Sequence, residues 1–173
     1  MKDFLDLAHD RYSVRKFSTK EIEDDKISKI IEAGKVAPTA VNYQPLKFFV
    51  FKSKESIQKL AEAHPFPFAK NAPLVIIVGS DKKNAWVRNY DEMNYADVDA
   101  SIAATHIMLE IHDLGLGSTW CGHFNQEKVK ELFPETKDFN LIAMFPIGYI
   151  AEDAAPTKTH TLYKSDEELV KVY

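Results

Sequence analysis

Apolar positions along the chain alternate between two spacings, and the switches between them mark the elements. Phe4, Leu5, Leu7 and Ala8 give one apolar side to "FLDLAHD", which predicts a short helix over residues 3–9. Ser18 with Glu21 three residues later has the form of a capping box. Behind it Ile27, Ile30, Ile31 and Gly34 keep helical spacing, so a second helix is expected to about Ala37, with Pro38 as its stop. "LKFFVFK" (46–52) reads as a strand, "KESIQKLAEA" (54–63) as a helix and "HPFPFAKNAP" (64–73), with three prolines, as a loop. "LVIIVGS" (74–80) has the continuous apolar run of a buried strand. Residues 81–93 carry Trp86 and Tyr90 without a clean period and read as a surface loop or lid.

The longest predicted helix covers 94–114. Val98, Ile102, Thr105 and Leu109 form one stripe on it, and Ala104, Met108 and Ile111 an adjacent one. So wide an apolar arc predicts a helix at the centre of the fold or at a subunit contact. "GLGSTWCGHF" (115–124) then supplies terminating glycines, a short strand and a turn. Asn125 is placed to cap a helix to Phe133, residues 140–150 form a last strand, and Ser165 caps a final short helix. Without repeats or a linker this is one domain, 1–173. Strict strand–helix alternation is weak, so an α+β fold with a mostly antiparallel sheet flanked by helices is expected in preference to a doubly wound sheet.

Composition narrows the classes. The hydrophobic share of 45% and charged share of 28% are those of a soluble globular domain. A net charge of −4 argues against a general binder of nucleic acid or anionic membrane, so any anion must be held by a local cluster. Cys121 is the single cysteine, which excludes an intramolecular disulfide and four-cysteine metal sites. Acids interrupt the apolar stretch of "MKDFLDLAHD", so no signal peptide is expected, and no apolar run approaches membrane-spanning length; a cytoplasmic protein is expected.

"RYSVRKF" (11–17) places Arg11, Ser13 and Arg15 at every second position. In an extended backbone all three project to one side, opposite Tyr12 and Val14, and the two guanidinium forks match phosphate oxygens. The plain alternative is a solvated basic edge. "APTAVNYQP" (37–45) offers Thr39, Asn42 and Gln44, whose donors and acceptors suit the edge of a planar heterocycle, or simply a polar turn. "TWCGHF" (119–124) has Gly122 where a backbone can approach a flat ligand, or merely turn. The six histidines lack metal-ligand spacing, so no metal site is expected. Cys121 and His123 invite a nucleophile–base reading but have no orienting acid in view. No Gly-x-Gly-x-x-Gly or phosphate-loop signature is present.

Taken in order with "IGYIAEDAAPTKTH" (147–160), these segments resemble the FMN-dependent nitroreductase family over nearly the whole chain, as a compact member. "RYSVRKF" is similar to its phosphate segment. "APTAVNYQP" is similar to its Ala-Pro-Ser-Ala-x-Asn-x-Gln-Pro-Trp segment, and "DLGLGSTWCG" to its helix end and Trp-x-Gly turn. The resemblance implies an intertwined homodimer with FMN at the subunit interface and NADH or NADPH as donor. Arg11 and Ser13, with Tyr12 between them, would hold the phosphate and ribityl end, and Arg15 the N1–O2 edge of the flavin. Pro38, Thr39, Ala40, Asn42 and Gln44 would come from the partner subunit. Trp120, Cys121 and Gly122 would lie near N5 and O4, and Lys158 and His160 near the phosphate. Tyr43, Phe66 and Phe68 would wall the substrate pocket. Thr39 stands for the usual Ser, Leu46 for a frequent Trp and His160 for a frequent Arg. The implied activity is reduction of nitroaromatics, quinones, flavins or a related small acceptor by ping-pong hydride transfer through flavin N5. The alternatives are a non-catalytic FMN-binding module and a specialised branch: dehalogenase, enone reductase or flavin-cleaving enzyme.

Overall fold

The computed structural model describes residues 3–173; the first two residues of the expected 1–173 domain lie outside the described residues. Four strands, β1 (Leu46–Phe51), β2 (Leu74–Ser80), β3 (Leu116–Ser118) and β4 (Asn140–Tyr149), form a sheet in the order β1-β2-β4-β3. Every neighbouring pair is antiparallel, with Leu74 opposite Ile147 at one end of the central pair and a bulge at Val78/Gly79. The fold is therefore α+β, as the weak alternation implied.

Strand β2 is buried at all seven positions because both of its faces are covered. Leu74, Ile76 and Val78 join Phe145 and Ile147 on one face. The helices α2 (Asp24–Lys35) and α4 (Ala96–Asp113) close over them through Ile30, Ala100, Ala104, Ile107 and Ile111. Val75 and Ile77 face the other way, with Phe49, Phe51 and Met144. There α3 (Lys54–Leu60) and α5 (Gln126–Leu132) supply Ile57, Leu60 and Val129. Burying one such Leu or Ile stabilises by roughly 1.5–3 kcal/mol, so these two layers dominate the stability.

The ends carry α1 (Phe4–Asp10) and α6 (Asp166–Leu169). Asp3 caps α1 through Leu5 N–H, and the expected Ser165 cap of α6 is present as a full capping box with Glu168. Asn125 caps α5 through Lys128 N–H, also as expected.

Two expectations need correction. Ser18 does not cap α2: the helix begins at Asp24 after Glu23, and Glu21 lies before it. Residues 18–23 form an irregular segment before the helix, in which Ser18 N–H donates to Tyr149 O at 2.8 Å and Ser18 Oγ accepts from Lys20 N–H at 3.3 Å. The Tyr149 hydroxyl donates to Glu23 Oε2 at 2.6 Å and accepts from Lys26 Nζ at 3.0 Å. That tyrosine bond, with the Lys20 ammonium beside it, holds the Glu23 carboxyl down to about 2. Next, the 54–63 helix changes to a 3₁₀ turn over Ala61–Ala63, and the 64–73 loop contains another over Pro67–Asn71. The expectation for α4 needs no correction: it packs centrally through Ala100, Ala104, Ile107 and Ile111, and its second stripe is the less covered one. Val98, Ile102 and Leu109 remain partly open and Thr105 is exposed, so the wide arc reflects one buried face and one unpaired face.

Candidate functional site

The opening segment is tied to the sheet edge. Ser13 bridges Ser118 in parallel and Phe17 bridges Ile150, while Val14 N–H donates to Ser118 O at 2.9 Å. Val14 is buried, and Ser13 and Arg15 project the other way, as alternation predicts. Gly117 makes the approach possible, since a Cβ there would meet Val14 Cγ2 at 2.7 Å. Arg11 follows α1 as its C-cap. Arg15 donates from Nη1 to Ser13 O at 3.2 Å, and among the described residues no carboxylate is paired with Arg11 or Arg15. Both charges are thus free for an anionic ligand.

Arg15 opens onto a recess of about 280 Å³ that it shares with Trp120, Cys121, Gly122, Phe66 and Phe68. Five residues expected from separate parts of the chain therefore meet Arg15 in one place. The turn is anchored by paired bonds of 3.0 Å between Cys121 and Met144, and the Trp120 ring packs edge-on against Phe145 at 5.3 Å. Gly122 is exposed, and a Cβ on it would meet only Trp120 Nε1, at 4.0 Å. The protein's own packing therefore does not require glycine there, and the absent side chain leaves the backbone open. Burial pushes the Cys121 thiol up to about 11, so near neutral pH it is a protonated, inert group and not the nucleophile of a Cys–His pair.

The second half of the predicted constellation lies elsewhere. Within the 3₁₀ turn Ala40–Asn42 and just after it, Val41, Asn42 and Gln44 have φ of 54°, 57° and 51°. Three side-chain-bearing residues in the left-handed region within four positions store strain of about 1–3 kcal/mol each, and such strain gathers at ligand clamps. The loop is braced by Ala40 N–H donating to Asp99 Oδ1 at 2.9 Å and by Gln44 N–H donating to Thr39 Oγ1 at 3.0 Å. Gln44 Nε2 also donates to Asn42 Oδ1, so the two amides are joined and exposed, with further donors and acceptors left over. Pro38 and Tyr43 are exposed beside them, and neither lines the 280 Å³ recess.

Near the chain end, His160 Nε2 bonds to His9 O at 3.0 Å and its ring meets Tyr12 edge-on at 6.1 Å. The 157–163 segment is thereby strapped over α1 next to Arg11. Lys158 in that strap is exposed.

Sequence reasoning missed Asp99, His64 and Thr119. Asp99 sits on an apolar helix, where its burial and its aim at residue 40 have no local signal. His64 and Thr119 line the recess with Arg15, and His64 was weighed only as a metal ligand. The signal available was its place in "HPFPF": an imidazole among aromatics packs as one of them.

An antiparallel α+β frame that presents free arginines, a bare backbone turn and a strained amide loop defines a binding protein for a flat, anionic organic ligand. Comparison with known proteins is more specific. Residues 8–64 and 62–149 match the model of the Nitroreductase family, and the chain belongs to that family. It is 32% identical to a nitroreductase family protein of Clostridium difficile 630 over 98% of both chains, with a TM-score of 0.88. An FMN-dependent nitroreductase from Clostridium difficile R20291 is 27% identical over 98% of both chains, with a TM-score of 0.78. A Methanothermobacter thermautotrophicus protein provisionally named NADH dehydrogenase/NAD(P)H nitroreductase is 32% identical over 161 residues, covering 87% of this chain and 79% of the relative.

Proposed function

We propose that the chain is an FMN-dependent oxidoreductase that takes electrons from NADH or NADPH and passes them to a small oxidised acceptor, as a homodimer with shared sites. The observation that carries this reading is the recess in which an unpaired Arg15 meets the open backbone of Cys121 and Gly122. When bound, FMN supplies acceptance of hydride from the nicotinamide and its delivery to the second substrate.

The chain's own residues bind, orient and exclude water. Arg11 and Ser13 hold the phosphate and ribityl end, with Tyr12, Lys158 and His160 alongside. His160 is already committed to His9 O, so its part is to fasten the strap more than to contact phosphate. Arg15 places a fixed charge where negative charge develops on reduction. Asn42 and Gln44 present their paired amides to the ring edge from the partner subunit, with Pro38, Thr39 and Ala40 shaping the loop and Tyr43 facing the substrate. Phe66 and Phe68, stacked 5.7 Å apart, wall off water.

The division of the site between two regions of the chain supports the dimer reading. The less covered stripe of α4 and the exposed Phe4 and Leu5 are apolar surface that a second copy would bury. Light scattering on the purified protein should therefore report two chains of 19.7 kDa, and a monomer would reject the shared site. The function itself is tested by purification followed by anaerobic addition of NADH or NADPH. Yellow protein with one FMN per chain that bleaches promptly supports an enzyme. Bound flavin that stays oxidised would leave a storage module, and failure to take up FMN at micromolar concentration would reject the reading.

A further inference from the structure

His64 is 7% exposed, and its Nε2 has no hydrogen-bond partner among the described residues. Its Nδ1 lies 3.1 Å from Phe66 N and 3.3 Å from Phe66 O. A main-chain N–H can only donate, so a proton on Nδ1 would set two N–H groups against each other at the shorter of these contacts. Nδ1 is therefore the acceptor, which places the ring proton on Nε2. Burial, aided by the nearby His123, lowers the imidazole's affinity for a second proton and keeps it neutral. A buried N–H donor without an acceptor costs about 1–3 kcal/mol. Such a group calls for an explanation, and its position supplies one.

The imidazole lines the same recess as Arg15, Cys121 and Gly122. Phe66 and Phe68 cover it edge-on at 5.3 and 5.6 Å. Phe66 is itself 46% exposed, so the cover over the imidazole is a surface side chain that an entering acceptor displaces. We propose that His64 Nε2–H is the donor that receives a nitro or carbonyl oxygen of the electron acceptor and thereby selects oxygen-bearing aromatic acceptors. The inference rests on the oxidoreductase reading and adds to it a residue that determines specificity. The bond strengthens as that oxygen gains electron density, so it favours the transition state over the bound substrate. An acceptor without such an oxygen leaves the N–H unpaired and gains nothing from it.

The test compares two reoxidation rates of the reduced holoenzyme, with 1,4-benzoquinone and with hexacyanoferrate(III). In His64→Phe, which keeps an aromatic ring and loses the donor, the ratio of quinone to hexacyanoferrate rate should fall about tenfold. His64→Gln, whose side-chain amide reaches the same place, should restore most of it. An unchanged ratio, or a glutamine variant no better than phenylalanine, overturns the proposal. Wild-type protein gives a reading that does not depend on how the variants fold. With oxidised holoenzyme the His64 Nε2–H proton resonance should shift on titration with nitrobenzene, and a resonance that stays fixed overturns the proposal too. Wild-type protein that binds no FMN would bring down the proposed function and this inference together. Wild-type turnover with an unmoved ratio in His64→Phe brings down this inference alone.

Discussion

Replacing Asp99 by alanine is expected to raise the FMN dissociation constant about 10–100-fold while moving the unfolding midpoint of the cofactor-free protein only slightly. The two effects separate because they depend on different terms. The carboxylate is 1% exposed, spends Oδ1 on Ala40 N–H and leaves Oδ2 without a partner among the described residues. Removing it loses one hydrogen bond, about 1–3 kcal/mol once the freed N–H is counted. The same change relieves a buried oxygen that has no donor and lets Val41, Asn42 and Gln44 leave the left-handed region, which returns a comparable amount. The sum is small. Binding has no such compensation: the relaxed loop must be driven back to the strained form before its amides can meet the flavin, and that conformational cost is subtracted from the affinity. Asp99→Asn keeps an oxygen at the Oδ1 position and should lie between alanine and wild type. Urea unfolding of the apoprotein and FMN titration, run on both variants, read the two quantities. A stability loss as large as the affinity loss would reduce Asp99 to a packing residue.

This brace shows where the chain's local pattern stopped being informative. Strands were legible because burial on both faces leaves a continuous apolar run in "LVIIVGS", and α4 because its period is sustained over five turns. The start of α2 was not, because Ser18 and Glu21 satisfy a local capping rule while Tyr149, more than a hundred positions away, competes for the same backbone. The left-handed loop was equally hidden. Positive φ is ordinarily announced by glycine, and Val41, Asn42 and Gln44 carry side chains, so the conformation depends on side-chain bonds from Thr39 and from the distant Asp99. Within the site, the residues joined in one recess were each visible as weak motifs, and the turn at Cys121–Gly122 lies in that recess with Gly122 exposed. His64 was missed because its donor is defined by a tautomer, and that is fixed by the fold of Phe66 and not by any spacing.

Arg11 and Arg15 should fail in different ways when replaced. Both guanidinium groups lack a carboxylate partner among the described residues, so neither is needed to neutralise a neighbour, and alanine at either position should leave folding nearly intact. If Arg11 clamps the FMN phosphate, Arg11→Ala should weaken FMN binding by about 1.5–3 kcal/mol, the scale of a charge-assisted bidentate bond. Arg11→Lys keeps the charge without the planar fork and should recover only part of the loss. Arg15 opens onto the recess beside Cys121 and Gly122, at the opposite end of the proposed ligand. Its partner there gains negative charge only on reduction. Arg15→Ala should therefore lower the midpoint potential of the bound flavin, making it harder to reduce, with a smaller change in affinity for the oxidised form. Dissociation constants and midpoint potentials for the three variants separate the roles, since the phosphate carries its charge in both redox states and its clamp shifts affinity far more than potential. Equal, small effects on both quantities would return the alternating arginines to a solvated basic edge that touches only water.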